Sequence, residues 1–292
     1  MVLHRGLAAE RERKMTDNLQ IKVDKAIKLL RSTCRDREVE LSYSGGKDSD
    51  VILELAKMAG INYRAIYKNT TIDPPGTIRH VRENNVEIVR PEETFLQLIE
   101  RKGFPTRRAR FCCQVLKEYK IMDIAIQGIR RSESSKRAKL YKEPTLCRIY
   151  NNNKANHVEV ILPILDWTDN DVVEFITERG IKLHPLYYTE GKVDVKRRLG
   201  CMGCPLSKDR GLEEFKRYPN LVKAWLRAGV KWWENHPNIK TRKKYRSIYE
   251  VFVDVLFFKP HEDAMRSISG GLFNNPIDCK KFLEEYFKIN LE

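Results

Sequence analysis

Short apolar runs alternate with longer segments of helical periodicity through most of the first two thirds of the chain. The short runs have the length and spacing of buried strands, and the longer segments repeat their apolar positions every three to four residues. The pattern predicts strands at Val39–Tyr43, Tyr63–Tyr67, Val86–Val89, Ile124–Gly128 and Val158–Leu162. It predicts helices at 17–37, Val51–Ala59, Thr77–Asn84, Phe95–Arg101 and Asn170–Arg179. This alternation indicates an α/β fold, in which a parallel sheet is flanked by helices.

Beyond residue 210 the pattern becomes mostly helical and aromatic, so we expect a C-terminal helical extension. We interpret its aromatic residues as core rather than as a platform for stacking bases. They are Trp225, Trp232, Trp233, Tyr245, Tyr249, Phe252, Phe257 and Phe258. The predicted organisation is a basic N-terminal extension (1–18), an α/β domain (19–215) and a helical C-terminal region (216–292).

Composition narrows the class of protein. The 292 residues include 55 Lys and Arg against 40 Asp and Glu, which gives a formal net charge of +15. No apolar run approaches the ~20 residues that a membrane-spanning helix needs. The first residues, MVLHRGLAAERERK, lack the apolar core of a secretory signal. We therefore expect a cytoplasmic protein with no membrane partner, and its charge predicts an anionic partner.

The positive charge is concentrated in particular segments. Residues 101–142 hold 13 Lys and Arg against 3 Asp and Glu, and residues 1–31 carry a net charge of +4. All other residues together contribute about +1. We interpret the first segment as part of an anion pocket. The N-terminal charge is the remaining sign of a polyanionic partner.

A glycine-containing loop follows the first predicted strand. It reads Ser44-Gly45-Gly46-Lys47-Asp48-Ser49 and leads directly into a predicted helix. Glycines let the backbone approach an anion closely, and a helix N-terminus directs free N–H groups at it. The spacing differs from that of the Walker loop. This context predicts a phosphate-binding loop at the carboxyl end of a strand rather than an ordinary turn.

The seven cysteines do not suggest a disulfide framework, because their number is odd and no export signal precedes them. Cys112 and Cys113 are adjacent, and Cys201 and Cys204 form a C-x-x-C. Two close pairs of thiolates can surround a zinc ion or a 4Fe–4S cluster. Adjacent cysteines favour the cluster, whose ligands are spread more widely. The alternative is two buried cysteines and an incidental C-x-x-C.

The loop resembles the pyrophosphate loop of the adenine nucleotide alpha-hydrolase-like superfamily, which includes ATP pyrophosphatases, tRNA-thiolating enzymes and sulfonucleotide reductases. Further segments resemble the PAPS/APS (phosphoadenosine phosphosulfate) reductase family. They are Gly128–Ser134 (G-x-R-x-x-E-S), Pro163–Thr168 (P-[IL]-x-x-W-T), Leu183–Tyr187 and Leu199–Pro205, which contains G-C-x-x-C-P. The resemblance covers roughly residues 38–210, and its motifs occur in the family's order.

The resemblance implies a binding site for an adenine nucleotide, either ATP or adenylyl sulfate. The implied contact residues are Ser44, Gly45, Gly46, Lys47, Asp48, Ser49, Gly128, Arg130, Arg131, Glu133, Ser134 and Arg137. Lys47 and Arg130 are the implied catalytic cations, since a guanidinium fork matches phosphate or sulfate oxygens. The iron–sulfur branch of the family further implies a 4Fe–4S cluster, whose matching cysteines are Cys112, Cys113, Cys201 and Cys204.

Several other residues have two interpretations. Asp48 either orients Lys47, helps to bind Mg²⁺ with ATP, or is a helix N-terminal carboxylate with no further role. Arg107, Arg108 and Arg110 lie close to Cys112 in sequence and are expected to hold an anionic substrate or a nucleic-acid backbone. Asp73 is a candidate contact for the base or ribose. The histidines show no ligand spacing, and we interpret them as structural; they include His80, His157, His184 and His236.

The chain departs from the reductase pattern at its C-terminus, which lacks the E-C-G-L-H tail that carries the reductases' nucleophile. Cys279 does not match that motif; the neighbouring Lys280 and Lys281 would lower its pKa. It is therefore only a secondary candidate for the catalytic nucleophile, and we favour the interpretation of Cys279 as a partly buried helix cysteine.

Three functions therefore remain open. The first is reduction of an adenylyl sulfate by a thiol reductant. The second is ATP-dependent, pyrophosphate-releasing sulfur transfer or nucleic-acid modification with a sulfur donor. The third is a non-catalytic nucleotide-binding accessory protein in a nucleoprotein system.

Overall fold

A six-stranded sheet forms the centre of the molecule in the computed structural model, which describes residues 15–150, 157–257 and 277–291. Its strands are β1 (Val39–Tyr43), β2 (Tyr63–Lys68), β3 (Glu87–Val89), β4 (Ile124–Ile126), β5 (Thr145–Ile149) and β6 (His157–Ile161). They lie in the order β3-β2-β1-β4-β6-β5. All neighbours are parallel except β5 and β6. A separate two-stranded ribbon joins β7 (Tyr188–Thr189) to β8 (Lys192–Val193).

Helices precede, connect and follow the strands. They are α1 (Asp17–Cys34), α2 (Lys47–Ala59), α3 (Thr77–Glu83), α4 (Phe95–Lys102), α5 (Phe111–Leu116), α6 (Ser135–Leu140), α7 (Asp169–Glu178), α8 (Leu212–Arg217), α9 (Pro219–Asn235), α10 (Ile248–Phe257) and α11 (Cys279–Phe287). Short 3₁₀ turns occupy Arg131–Glu133, Pro185–Tyr187 and Lys240–Lys243. None of the described helices is long and apolar enough to cross a membrane.

The predicted α/β class is confirmed, with one antiparallel strand added to the sheet. The sequence pattern did not predict β5, α5 or α6. β5 is an edge strand, and its Cys147 and Ile149 are exposed, so it lacks the apolar run of a buried strand. α5 and α6 contain six residues each and are therefore too short to display a helical period.

The two faces of β1 meet different surroundings. Val39, Leu41 and Tyr43 pack into a core with α1, α2 and α7. Threonine side chains at the N-caps of α1 and α7 accept backbone N–H bonds and fix where those helices begin. On the opposite face, Glu40 and Ser42 line a cavity instead of a helix. The central strand thus has an apolar face for folding and a polar face open to a ligand.

A second apolar core joins α4 and α5 to the C-terminal helices, across the division expected at residue 215. Trp225 and Phe252 are fully buried in it, and Trp225 packs against Phe95 with ring centroids 4.8 Å apart. The interpretation of the C-terminal aromatic residues as core is confirmed for the described residues. Phe258 and residues 1–14 of the expected N-terminal extension lie outside them.

Candidate nucleotide and cysteine sites

The loop between β1 and α2 is tightly turned and mostly buried, with Ser44 exposed. Gly45 has a φ of +75°, and a Cβ there would also lie 3.2 Å from Leu199 Cδ2, so the turn favours glycine. Gly46 is the N-cap of α2 and provides no side-chain cap for its first N–H groups. The Ser49 hydroxyl donates to the Gly46 carbonyl at 2.7 Å, and the Ser44 and Ser49 hydroxyls are 3.3 Å apart. The Gly46 N–H donates to Ser44 Oγ at 3.4 Å and the Ser49 N–H to the Gly46 carbonyl at 2.9 Å, so the loop is held largely by its own hydrogen bonds.

A buried chain of charges lies beneath the loop. Lys47 Nζ donates to Asp48 Oδ2 at 2.9 Å, and Arg130 Nε donates to Asp48 Oδ1 at 2.8 Å. Arg130 is 1% exposed, and its two terminal nitrogens donate to Asp169, Ser132 and the Trp167 carbonyl. Each guanidinium nitrogen therefore has a protein acceptor. The structure places Arg130 behind Asp48, so that it contacts Lys47 only through that carboxylate.

Gly128 permits this arrangement by close approach. A Cβ at Gly128 would lie 2.8 Å from the Asp48 carbonyl oxygen. The end of β4 can therefore reach the first turn of α2 only without a side chain at this position. Gly128 acts through backbone proximity, and the contact brings the Arg130 segment against the loop.

A cavity of about 410 Å³ opens beside the loop, on the polar face of the sheet. Its wall includes Ser44 from the loop, Asp73, and the end of β4 at Gln127. Four cationic side chains line it: Lys68, Lys117, Arg137 and Arg148. A cavity of this volume suits a nucleotide-sized ligand.

The cavity has a buried polar floor. Glu40 is 1% exposed and accepts from Ser42 Oγ at 3.0 Å, from Lys68 Nζ at 3.3 Å and from the Met122 N–H at 3.2 Å. Burial lowers the pKa of Lys68, against the opposing effect of the Glu40 carboxylate. On the wall, the Arg148 guanidinium lies 4.7 Å from the centre of the Tyr150 ring. The floor and wall thus offer fixed hydrogen-bonding groups and a flat aromatic surface.

The remaining residues of the G-x-R-x-x-E-S segment, together with Arg137 just after it, are divided between the cavity and the protein surface. Arg137 lines the cavity and forms an ion pair with Glu133. Ser134 accepts the Arg137 N–H and caps α6. Arg131 instead binds Asp166 and the carbonyls of residues 141 and 142. Of the arginines expected to contact the nucleotide, only Arg137 lies in the cavity wall.

The four cysteines of the two pairs line a single small cavity of about 30 Å³. Cys112 and Cys113 lie in the first turn of α5, and the thiol of Cys201 donates to Thr70 Oγ1 at 3.6 Å. A hydrogen bond from Cys112 lowers the pKa of Cys113 to about 6, with help from Lys117 and Arg110. The same hydrogen bond raises the pKa of Cys112, as do burial and the charges of the other three cysteines. The structure brings together all four residues that the sequence paired only by spacing.

The four thiols can be compared with known metal centres by the kind and number of their donors. Among the described residues, no group of three or more His, Cys, Asp or Glu side chains is arranged to hold a metal ion. Four cysteines around one mostly apolar cavity are the ligand set of a 4Fe–4S cluster. The likeness to a cluster site rests on the kind and number of the donor atoms.

Lys117 connects the two cavities, because its side chain lines both of them. The Cys201 thiolate raises the pKa of Lys117, with a further contribution from Asp73. Gly200 lines the larger cavity and the next residue, Cys201, lines the smaller one. The sequence pattern did not single out Lys117. The available signal was its position four residues after Cys113, within the basic segment.

Two of the remaining expected residues have partners that the sequence did not reveal. Arg107 donates to the Pro205 and Ser207 carbonyls, both at 2.8 Å, and so holds the segment after the C-x-x-C. Asp73 lines the larger cavity and accepts from the Tyr67 hydroxyl and the Thr70 N–H.

A second buried network supports the loop. Asp50 accepts from the Tyr43 hydroxyl, and His80 Nε2 lies 3.1 Å from both of its carboxylate oxygens. Burial raises the pKa of Asp50 despite these hydrogen bonds. Asp50 was missed because nothing distinguishes it in sequence from an exposed carboxylate in a helix's first turn.

Cys279 lies apart from both sites. It is 4% exposed within the second apolar core, and it lines neither cavity. Burial raises its pKa to about 11, and Cys279 is the first residue of α11, so it has the buried helix position that we favoured over a nucleophile.

Known proteins resemble this chain over most of its length. An uncharacterized protein of Methanocaldococcus jannaschii is 29% identical over 266 residues, covering 80% of this chain. The chain spans only 62% of that relative's length. The adenosine 5′-phosphosulfate reductase of Allochromatium vinosum is 24% identical over 241 residues, with 75% of this chain and 84% of the relative covered. The crystal structure of phosphoadenylyl-sulfate reductase from Candida auris aligns with a TM-score of 0.42 and 15% identity, over 64% of this chain and 96% of that one.

The family comparison covers the segment that contains both sites. The model of the phosphoadenosine phosphosulfate reductase domain matches residues 38–207, which is more than half of the chain. That range runs from the start of β1 to just beyond the second cysteine pair. The chain therefore belongs to the phosphoadenosine phosphosulfate reductase domain family.

Proposed function

We propose that the 410 Å³ cavity binds an adenine nucleotide, with its anionic end at the Ser44–Ser49 loop. The observation that carries the proposal is the position of Lys117, which lines both this cavity and the cysteine cavity. A ligand held by the loop would thereby lie near the four cysteines. Lys47 is the cation of the loop, and Arg130 fixes it through Asp48.

The reaction we propose first is reduction of an adenylyl sulfate, which is also the activity named in the Allochromatium vinosum relative. A thiolate attacks the sulfate sulfur, the bond from sulfur to the nucleotide oxygen breaks, and AMP leaves. A second thiol then displaces sulfite and forms a disulfide. Lys47 and Lys117 would balance the charge on the anion. Because Cys279 is buried away from the cavities, the thiols would come from a separate reductant.

Cys112, Cys113, Cys201 and Cys204 would hold a 4Fe–4S cluster in this proposal. When bound, such a cluster supplies redox and Lewis-acid chemistry at the cavity wall. Lys117 lies between the cluster site and the nucleotide cavity, where its positive charge would offset the charge of thiolates and substrate.

The burial of Cys279 favours a second candidate, which needs no nucleophile at that position. Here the loop would hold the β- and γ-phosphates of ATP with Mg²⁺. An acceptor oxygen attacks the α-phosphate, and pyrophosphate leaves. The adenylated acceptor would then take sulfur from a donor, releasing AMP.

A product assay separates the two candidates. Anaerobically purified protein is incubated either with an adenylyl sulfate and dithiothreitol or with ATP, Mg²⁺ and a nucleic-acid acceptor. Sulfite and AMP from the first mixture support reduction, and pyrophosphate from the second supports the ATP reaction. Lys47→Ala should abolish either product, whereas Lys57→Ala, an exposed lysine of the same helix, should not. Failure of the wild-type protein to bind any of these nucleotides would contradict the proposal.

A further inference from the structure

A second strongly basic segment lies in the C-terminal helical region. Residues 216–246 contain ten Lys and Arg and one acidic residue, Glu234. Acidic residues elsewhere offset its charge, so the chain outside 1–31 and 101–142 sums to only about +1. It comprises the end of α8, all of α9 and the 3₁₀ turn Lys240–Lys243.

Most of these cations are exposed, and several have no acidic partner. Within the part of the chain that the structure describes, no carboxylate forms an ion pair with Lys223, Arg227, Lys240, Lys243 or Lys244. Lys231 is paired with Glu100 and Arg246 with Glu250. The segment therefore keeps uncompensated positive charge on the surface, which ordinary solvated faces reduce by mixing both signs.

The most basic stretch, Lys240–Arg246, is held rigidly. Ile239 packs against the second apolar core, and Tyr245 is buried with its hydroxyl donating to Asp254 at 2.6 Å. The Arg242 guanidinium lies 4.3 Å from the centre of the Trp233 ring and donates to the Trp233 carbonyl. Arg242 lies within the 3₁₀ turn Lys240–Lys243, and the other two anchors flank it on either side. Lys240 and Lys243, three residues apart, share one side of the turn, which faces solvent.

Such a surface suits a chain of phosphates rather than a lipid bilayer. Membrane-bound basic surfaces insert apolar side chains beside their cations. Among the described residues, none of the exposed large apolar side chains lies between 216 and 246. A rigid row of lysines binds a polyanion with little loss of backbone entropy.

We propose that the surface formed by α9 and Lys240–Lys244 binds the phosphate backbone of a nucleic acid. Lys240, Lys243 and Lys244 contact phosphates, and Lys223 and Arg227, four residues apart on α9, extend the surface along the helix. Trp225 of the same helix lines the cysteine cavity from its buried side. A strand bound along α9 would thus lie about one helix diameter, ~10 Å, from that cavity.

The test measures binding of a fluorescein-labelled 30-base-pair DNA duplex and a 30-nucleotide RNA of mixed sequence to the full chain by fluorescence anisotropy. The variant is Lys240→Ala/Lys243→Ala/Lys244→Ala. Its control, Lys57→Ala/Lys182→Ala/Lys192→Ala, removes the same charge from exposed lysines outside the segment. Unchanged thermal midpoints establish that both variants fold.

We expect the variant to bind at least one of the two probes about tenfold or more weakly than the control. The slope of log K against log salt should fall by about 2 to 3, since each lost phosphate contact removes about 0.9. Equal losses in both triple variants would overturn the proposal, because binding would then follow net charge alone. Failure of the wild-type chain to bind either probe at 100 mM salt would also overturn it. So would a triple variant that binds both probes as the wild type does but loses binding to vesicles containing 30% phosphatidylserine.

Discussion

The two most basic segments of the chain, 101–142 and 216–246, use their cations differently. In the first, Arg107, Arg130 and Arg131 bind carboxylates or carbonyls of the protein itself. In the second, Lys240, Lys243 and Lys244 remain in solvent on a rigid turn. The comparison teaches that a count of charges does not show which cations are available to a ligand, because pairing depends on the fold. Arg130 is buried in ion pairs, whereas Arg137 of the same segment lines the nucleotide cavity.

The largest effect should follow from removing the buried cation of the first segment. Arg130→Ala leaves Asp48 and Asp169 without their shared partner, and we expect a loss of about 3–5 kcal/mol in the free energy of unfolding. Urea denaturation measures it. Arg130→Lys should recover only part of the loss, because an ammonium cannot contact Asp48, Asp169 and Ser132 at once as the guanidinium does. Lys243→Ala removes an exposed cation of the second segment and is the control. Equal free energies of unfolding for Arg130→Ala and Lys243→Ala would contradict the contrast between buried and exposed cations.

The next largest effect tests the close approach that lets the first segment reach the loop. In Gly128→Ala the new methyl group would lie 2.8 Å from the Asp48 carbonyl, so we expect a loss of about 1–3 kcal/mol. Gly200→Ala is the matched control, because nothing lies within 4 Å of its Cβ position. Thermal or urea unfolding of the two variants distinguishes packing at residue 128 from a general cost of replacing glycine.

Lys47 is the cation at the nucleotide loop, and its removal should affect ligand binding more than folding. We expect Lys47→Ala to weaken binding of ATP or adenylyl sulfate by about tenfold or more, since a charge-assisted contact with phosphate is lost. Isothermal titration calorimetry measures the dissociation constant. An unchanged constant in Lys47→Ala, with Lys57→Ala as control, would contradict the assignment of the loop.

The smallest effect concerns the rigidity of the second segment. Arg242→Lys keeps the charge but loses the stacking on Trp233 and the fork that binds its carbonyl. We expect nucleic-acid affinity to fall about two- to threefold without a change in the salt slope, because phosphate contacts are kept and preorganisation is reduced. A fall in the salt slope would indicate instead that Arg242 contacts phosphate directly.

The cysteine thiols show the same contrast between buried and exposed groups in their dependence on pH. Burial raises the pKa of Cys279 to about 11 from an unfolded value of 9.0, so the folded state favours the neutral thiol. Its contribution to stability is therefore complete below pH 9 and declines as the pH rises toward 11. At pH 8 iodoacetamide should label the exposed Cys147 at least tenfold faster than Cys279, as peptide mass spectrometry can measure.

Local patterns were sufficient to predict much of the fold and the loop. Each of the five predicted strands overlaps an observed one, because buried strands need continuous apolar runs. The Ser44–Ser49 loop lies between β1 and α2 as expected, since its glycines and the helix start are encoded in adjacent residues. Strand β5 was missed because Thr145–Ile149 has no run of buried residues, whereas the other edge strand, β3, lies in a segment with enough apolar residues to be predicted.

The sequence by itself determined the α/β class, the position of the phosphate loop and which cysteines form pairs. These features depend on neighbours within a few residues. The tertiary structure decided that Arg130 lies behind Asp48, that Lys117 lines both cavities and that Cys279 is buried. The partners of Arg130 are 82 and 39 residues away along the chain, and such pairings follow only from how strands and helices pack. The sequence therefore identifies which residues carry charges and thiols, but the fold sets their partners and their exposure.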